Sequence, residues 1–391
     1  MTAGKVRKST YSFQFWLLCT SSLMFFASFN MIIPELPTYL TNLGGAEYKG
    51  LIISLFTITA MLSRPFSGKL ADSVGRVPIM MVGSIVCFIC SSFYPILTGV
   101  IGFFLLRLIH GFSTGFTPTG QTAYLSDIVP ANRRGEAMGF LGTSGTIGMA
   151  GGPALGGTIT NQMSLDAMFY CSSFFALSSI LILVRIKETL PAKKKFSASM
   201  LKVNKDDFFE PKVLVPCMVM LLCTFSFGTV YTVIPDFGEF VGIRNKGLLF
   251  TYFTLASLLV RFIGGKASDI YGRAKVLKFS TVIITIAMLT IGMAESGIAL
   301  SIGVFIYGLG HGITAPTLLA WASDLSDDNR RGRGLASLYI FMEIGIGVGA
   351  FASGIIYGND PFNFITTFFV CALFSGVAFV YLMTRKIPVS I

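Results

Sequence analysis

The stretch "GKLADSVGR" at residues 68–76 returns as "GKASDIYGR" at residues 265–273, 197 positions later. Its glycines, lysine, aspartate and arginine recur in register. The same offset joins Arg64 to Arg261, Asp127 to Asp324, and "NRRG" at 132–135 to "NRRG" at 329–332. Between these anchors "GFTPTGQTAYLSD" (115–127) aligns with "GITAPTLLAWASD" (312–324). Pro34-Glu35 and Pro235-Asp236 correspond as well, with a slip of four. The chain therefore reads as one unit written twice. The expected division is a first half over 1–187, a polar linker over 188–210 and a second half over 211–391.

Composition states where these halves reside. Hydrophobic residues are 53% of the chain and charged residues only 13%, against about one quarter in a soluble domain. The mean hydropathy is +0.72. Such a chain cannot cover a water-facing surface of its size. Apolar runs of about 20 residues recur, the length that crosses a hydrocarbon core about 30 Å thick. Twelve are counted, centred near residues 25, 60, 88, 112, 147, 176, 224, 258, 286, 310, 345 and 374. Backbone groups in lipid must be bonded within their own segment, so each run is expected to be a helix. Two six-helix halves of like orientation imply a pseudo-two-fold axis along the membrane normal, with a ligand site where the halves meet.

The net charge of +11 raises nucleic acid as a partner, but its distribution argues for a membrane. With the N-terminus placed inside and the spans alternating, 24 of the 30 Lys and Arg fall in the termini and inward loops. Lys49, Arg244 and Lys246 face outward, and Arg64, Arg107 and Arg261 lie within spans. This is the positive-inside pattern, and it places both termini in the cytoplasm. Basic loops beside a bilayer also meet anionic lipid. No nucleic acid is expected as a partner. The seven cysteines sit in apolar runs and read as free core thiols. Cys87 and Cys90 form a C-x-x-C without a second pair, so no metal site is expected.

Three motifs carry a family resemblance. "GKLADSVGR", placed between spans two and three, is similar to the signature loop of the major facilitator superfamily. "LLRLIHGFSTG" (105–115) resembles the fourth-span motif of its proton-coupled members, and "GMAGGPALGG" (148–157) the fifth-span motif of its antiporters. The resemblance covers essentially the whole chain. It implies an all-α polytopic membrane protein of twelve helices in two pseudo-symmetric bundles, working as a drug:proton antiporter of the twelve-span kind. It also implies that Arg107 occupies the position of the proton-associated arginine, which stabilises a deprotonated acid or binds an anionic group; the alternative for Arg107 is bonding to backbone carbonyls of a neighbouring broken helix.

The residues support a physical reading beside that resemblance. Gly68 and Gly75 permit tight turning and close helix approach, as do their counterparts such as Gly265. Asp72, Arg76 and Asp127, with Asp269, Arg273 and Asp324, are expected to form two inner-gate latches. Each latch would tie its half to span eleven or span five of the other; the alternative is charges that anchor short wet loops. Gly148, Gly152 and Gly156 form a small-residue ridge for close packing, and Pro153 and Gly157 are expected to interrupt the turn. Span eleven carries a related ridge at Gly345 and Gly349.

Glu343 alone among the 19 acidic residues lies near mid-span, and an ionisable group there is a functional candidate. It reads as a proton carrier or as a counter-charge for cationic substrates, or else as a neutral hydrogen-bonded glutamic acid. Its counterpart at the 197 offset is Thr146. Arg64 and Arg261 lie nearer the inner face, within snorkelling reach of it, and a structural role is expected for both. Glu35 and Asp236 read either as an outer gate or as wet helix ends. His110 and His311 are open between packing and coupling. Phe25, Phe29, Asn30, Phe112, Phe116, Phe227, Tyr231 and His311 are expected to line an apolar aromatic pocket with Glu343.

Taken together these features predict a monomeric secondary transporter in a cell inner membrane, exporting a small amphipathic molecule in exchange for protons. Sugar or metabolite export or symport fits the same scaffold, and a transport-dead receptor is the reading from another class. An enzyme is not expected. The two histidines lie in different spans, no Ser/His/Asp set or H-E-x-x-H occurs, and no phosphate-binding loop is present. No cofactor is expected.

Overall fold

The computed structural model describes residues 11–130, 133–190, 194–197, 200, 209–326 and 331–385. The repeated "NRRG" falls largely outside the described residues, as does most of the expected linker. Twelve spans follow in chain order, and the described regular structure is helical throughout. Span one is Phe13–Met31 and Leu36–Asn42, joined by a 3-10 turn at Ile33–Glu35. Spans two to six are Lys49–Ser73, Arg76–Phe93, Val100–Ile128, Arg134–Gln162 and Leu165–Val184. Spans seven to twelve are Leu214–Phe240, Gly247–Tyr271, Arg273–Gly292, Gly297–Leu325, Arg331–Tyr357 and Phe364–Thr384.

The sequence starts and stops these helices by local means. Ser12, Ser164 and Ser296 cap spans one, six and ten, each side-chain oxygen accepting from an amide three residues on. Such caps contribute about 1 kcal/mol each. Pro34 and Pro37 break span one, because proline lacks the amide that a continuous helix needs. Spans two and three are separated by Gly75 at φ 139°, spans eight and nine by Gly272 at φ 87°. Those backbone angles strain any residue with a Cβ. At Gly75 a Cβ would also lie 2.4 Å from the Glu188 carboxylate. That carboxylate accepts from the Arg76 and Val77 amides at 3.0 and 3.1 Å, so it caps span three from the end of span six.

Ten spans are long and apolar enough to cross a membrane by themselves, and the chain is a multi-pass membrane protein. Span five falls short of that measure, and span eight is apolar over Gly247–Arg261. Span five is rich in glycine, and span eight carries Arg261, Lys266 and Asp269. These two pack on each other across the boundary between the halves, where protein replaces lipid. The apolar residues that lipid requires are instead on outer surfaces, as at Ile101, Ile263 and Leu259.

Within each half, close approach is bought by small residues. A Cβ on Gly148 would lie 2.4 Å from the Leu23 carbonyl oxygen, on Gly152 2.5 Å from that of Ala27, and on Gly156 2.4 Å from that of Met31. The ridge therefore lies directly against span one. Its equivalents Gly345 and Gly349 press on span seven at Leu221 and Phe225 in the same way. Span five runs through Pro153 and Gly157 without a break, contrary to the expected interruption. Both residues face span eight instead. Gly247 packs on the Pro153 backbone, and Gly157 leaves room for Asn245.

The halves meet along spans two with eleven and five with eight. Call the membrane face where span one begins and span twelve ends the terminal face. Polar contacts between the halves run from mid-depth to the opposite face. Lys49 pairs with Asp236 there, and Lys246 donates to Thr38 at 2.8 Å. Asn161 donates to the Arg244 carbonyl, and Asn245 to Thr158 and the Ala154 carbonyl. Deeper in, Ser54 donates to the Gly347 carbonyl and Thr251 to that of Ala150. These last two bonds are equivalents at the 197 offset. Toward the terminal face follow Arg64–Glu343 and Arg261–Thr146.

Candidate functional site

A cavity of about 980 Å³ lies between the halves. Its walls run from mid-depth to Gly68, Asp72, Ser126 and Leu335, near the terminal-face ends of spans two, four and eleven. It is thus open on the terminal face and closed beyond mid-depth by the contacts just described. Aromatic rings form much of its wall. Phe29 stacks on Phe56 at 5.0 Å, and Phe227 stacks on both Tyr231 at 4.4 Å and His311 at 5.1 Å. Asn30 faces the cavity but donates its amide to the Phe26 carbonyl of its own helix.

Charge enters this apolar wall at a few points. The Arg64 guanidinium on span two lies 2.6 Å from the Glu343 carboxylate on span eleven. Arg64 also sits 4.9 Å over the Tyr339 ring. Arg64 does not snorkel, because a buried carboxylate across the interface is a better partner than distant water. Arg261, its equivalent on span eight, donates to Thr146 on span five at 3.1 Å. The two contacts are therefore one contact written twice, with glutamate in one copy and threonine in the other. Arg107 is fully buried. It donates to the Ile52 carbonyl at 2.8 Å and lies 4.7 Å over Phe56, while its Nη2 has no hydrogen-bond partner.

Of the expected pocket residues, Phe29, Asn30, Phe227, Tyr231, His311 and Glu343 line the cavity, and Arg107 joins them. Phe25, Phe112 and Phe116 do not. Phe26 faces the cavity, and Phe25, about 100° round the helix, is buried against Cys87 and Ala176. Thr114 and Pro118 face the cavity. Phe112 and Phe116 each precede one of them by two residues, about 200° away, which turns Phe112 to the outer surface and packs Phe116 against Leu70, Ala71 and Ile79. His110 is enclosed in the first half, near Tyr94 and Cys87. Phe26, Phe56, Arg64 and Tyr339 line the cavity without having been anticipated there. For Arg64 a signal existed, since it recurs as Arg261 at the 197 offset.

The latch residues are paired, but within their own halves. Arg76 pairs with Asp72 and lies 3.1 Å from Asp127, and Arg273 pairs with Asp269 and lies 2.9 Å from Asp324. The expected ties to spans eleven and five are absent among the described residues, because the halves are parted at this face. Gly68 has nothing within 4 Å of a Cβ position, so close helix approach does not explain it here. The surroundings of Gly265 lie outside the described residues. At the opposite face Asp236 is no wet helix end: it is 9% exposed and bridges the halves to Lys49. Glu35 is likewise buried.

A cavity between two pseudo-symmetric bundles, closed on one face and open on the other, defines a membrane transporter rather than an enzyme. The chain belongs to the Major Facilitator Superfamily, whose model matches residues 18–245 and 217–390. It is 27% identical over 364 residues to the Multi-drug resistance efflux pump PmrA of Streptococcus pneumoniae, covering 89% of each chain. It is 22% identical over 352 residues to the Quinolone resistance protein NorA of Staphylococcus aureus, covering 88% of this chain and 90% of the relative. Among solved structures, a D-xylose-proton symporter superposes with a TM-score of 0.80 at 16% identity, covering 97% of this chain and 99% of that one. The human organic anion transporter MFSD10 does so with a TM-score of 0.73 at 18% identity, covering 94% and 98%. These likenesses in structure concern the fold.

Proposed function

We propose that the protein exports a small amphipathic organic molecule in exchange for protons, by rocking its halves about the central cavity. The positive-inside distribution assigns the terminal face to the cytoplasm, so the open cavity is the cytoplasm-facing state of a monomer in a cell inner membrane. Aromatic walls with few polar groups suit an amphipathic solute. The similarity to efflux pumps named for multidrug and quinolone resistance supports export of such molecules.

The observation that carries the coupling is the Arg64–Glu343 pair. It joins the two halves within the cavity wall, where a proton can reach it. Ionised, Glu343 holds Arg64 and ties span two to span eleven. A proton on the carboxylate removes one charge of the pair, loosens that tie and frees the guanidinium. The two states of one carboxylate thus bias the two arrangements of the halves. As an internal counter-ion of Arg64, Glu343 has little charge left over for a cationic substrate, so the proton-carrier role is the better one. Arg76 and Arg273, held within their halves in this state, are proposed to bridge to the facing half when the cytoplasmic face closes.

The test uses proteoliposomes with a trapped pH-sensitive dye, an imposed pH gradient and a panel of amphiphiles and sugars. Proton flux triggered by substrate in the unaltered protein, and reduced to background in Glu343→Gln, is the expected result. Undiminished flux in Glu343→Gln would remove this residue from the proton path.

A further inference from the structure

The hydroxyl and amide groups on the first half's side of the cavity share one polarity. Span four turns Thr114, Thr119, Thr122 and Ser126 to the cavity, as one face over about three turns. Thr114 and Thr119 are half-buried and Thr122 is exposed, so a solute reaches them. Each hydroxyl donates back into its own helix. Thr114 donates to the Gly111 carbonyl at 3.2 Å, Thr119 to that of Gly115 at 2.9 Å, and Thr122 to those of Pro118 and Thr119 at 3.1 and 3.0 Å. Ser126 donates to the Thr122 carbonyl at 2.9 Å. A carbonyl oxygen has no proton to give, so the side chain is the donor in every one of these bonds. What the stripe keeps for the cavity is lone pairs. Asn30 and Thr57, on spans one and two, follow the same rule and donate to the Phe26 and Ser54 carbonyls. The guanidinium donors of this side are withdrawn. Arg64 is held by Glu343, and Arg107 has none of its surface exposed and donates to the Ile52 carbonyl. Tyr231, Tyr339 and His311, across the cavity, can each give or take a hydrogen bond and set no preference. The stripe is not repeated in the second half, where Pro316 and Leu319 stand at the equivalents of Thr119 and Thr122.

We infer that the cavity selects aromatic amphipathic molecules whose polar group carries hydrogen-bond donors, N–H or O–H, and that the Thr114, Thr119 and Thr122 hydroxyls receive that group. This deepens the export reading, on which the identity of the cavity as the substrate site rests. Water in the empty cavity donates to these oxygens. A solute with donors replaces that water bond for bond, whereas one with acceptors alone displaces it and leaves the oxygens unpaired. The rings of Phe227, Tyr231 and His311 on the opposite wall receive the aromatic part. His311 is the equivalent of Thr114 at the 197 offset, which sets polar head and ring at matching depth.

The test uses two probes of one shape, 2-naphthamide and 2-acetonaphthone. Both carry the naphthalene and the carbonyl, and a methyl group in the ketone replaces the amide's NH2. Binding to the purified full-length protein is measured by isothermal titration calorimetry, beside the proton-flux assay in liposomes. The expected result is about tenfold tighter binding of the amide, the effect of one or two neutral hydrogen bonds. The triple variant Thr114→Val, Thr119→Val, Thr122→Val keeps the side-chain shape and removes the lone pairs. It is expected to abolish the preference while binding of the ketone persists. The corresponding triple serine variant retains the preference. Equal or absent binding of the two probes to the unaltered protein, tighter binding of the ketone, an undiminished preference in the valine variant, or its loss in the serine variant overturns the inference. Proton flux triggered equally by amide and ketone would sink the donor inference alone. A donor preference in binding without any proton exchange would sink the antiport reading alone.

Discussion

At the scale of single residues, the Arg64–Glu343 pair carries the most consequence. Both side chains are largely buried, at 19% and 7% exposure. Removing one partner strands the other charge in a poorly solvated wall, a loss of about 3–5 kcal/mol. Arg64→Gln is therefore expected to lower the melting temperature of the purified protein markedly. Pairing it with Glu343→Gln should restore most of that loss, because neither charge then remains. A double-mutant cycle read by thermal unfolding checks this. Melting temperatures that fall additively would mean the two groups do not stabilise each other. The sequence singled out Glu343 by its depth alone. It did not reveal the partner, because Arg64 lies 279 positions away and on another helix.

At the scale of elements, the glycine ridges set how near the helices stand. Gly151 and Gly152 are neighbours in sequence, yet a Cβ on Gly152 would lie 2.5 Å from a backbone oxygen while one on Gly151 would meet nothing within 4 Å. Gly152→Ala is expected to cost about 1–3 kcal/mol through the forced separation of spans five and one. Gly151→Ala should be neutral or slightly stabilising, since alanine is the better helix former by about 1 kcal/mol. Melting curves of the two variants check the contrast, and similar melting for both would remove the ridge as the cause. The four-residue spacing of Gly148, Gly152 and Gly156 was legible in the sequence. Which helix they would press on was not, and Pro153 proved compatible with an unbroken span.

At the scale of the whole molecule, the two faces oppose each other. Lys49–Asp236 and Lys246–Thr38 close one face, while at the other each latch is satisfied within its own half. Lys49→Gln weakens only the closed face. The population should then shift toward the arrangement in which the terminal face closes. Spin labels at Ser126 and Ser323, equivalent positions on spans four and ten, report the distance across that face by double electron–electron resonance. A shorter component that grows in Lys49→Gln is expected. An unchanged distribution would show that the pair does not hold the state.

The sequence by itself determined the membrane class, the twelve spans, the repeat with its 197 offset and the family motifs. These follow from local properties: segment length against bilayer thickness, apolar composition, and residues that turn or cap a helix. It also marked Glu343 by its depth, and named Phe29, Phe227, Tyr231 and His311 of the cavity wall but not Phe26, Phe56 or Tyr339, because position in a span gives depth along a helix and not the side that faces the cavity. Only the tertiary structure decided which side of each helix faces the cavity, and so set Phe25, Phe112 and Phe116 outside it. It alone joined Arg64 to Glu343 and left Arg261 with Thr146, and it alone showed the latches satisfied within their own halves. Those facts depend on helix rotation and on the angle between the halves. Both are fixed by packing between segments far apart in the chain, to which no local stretch of sequence gives access.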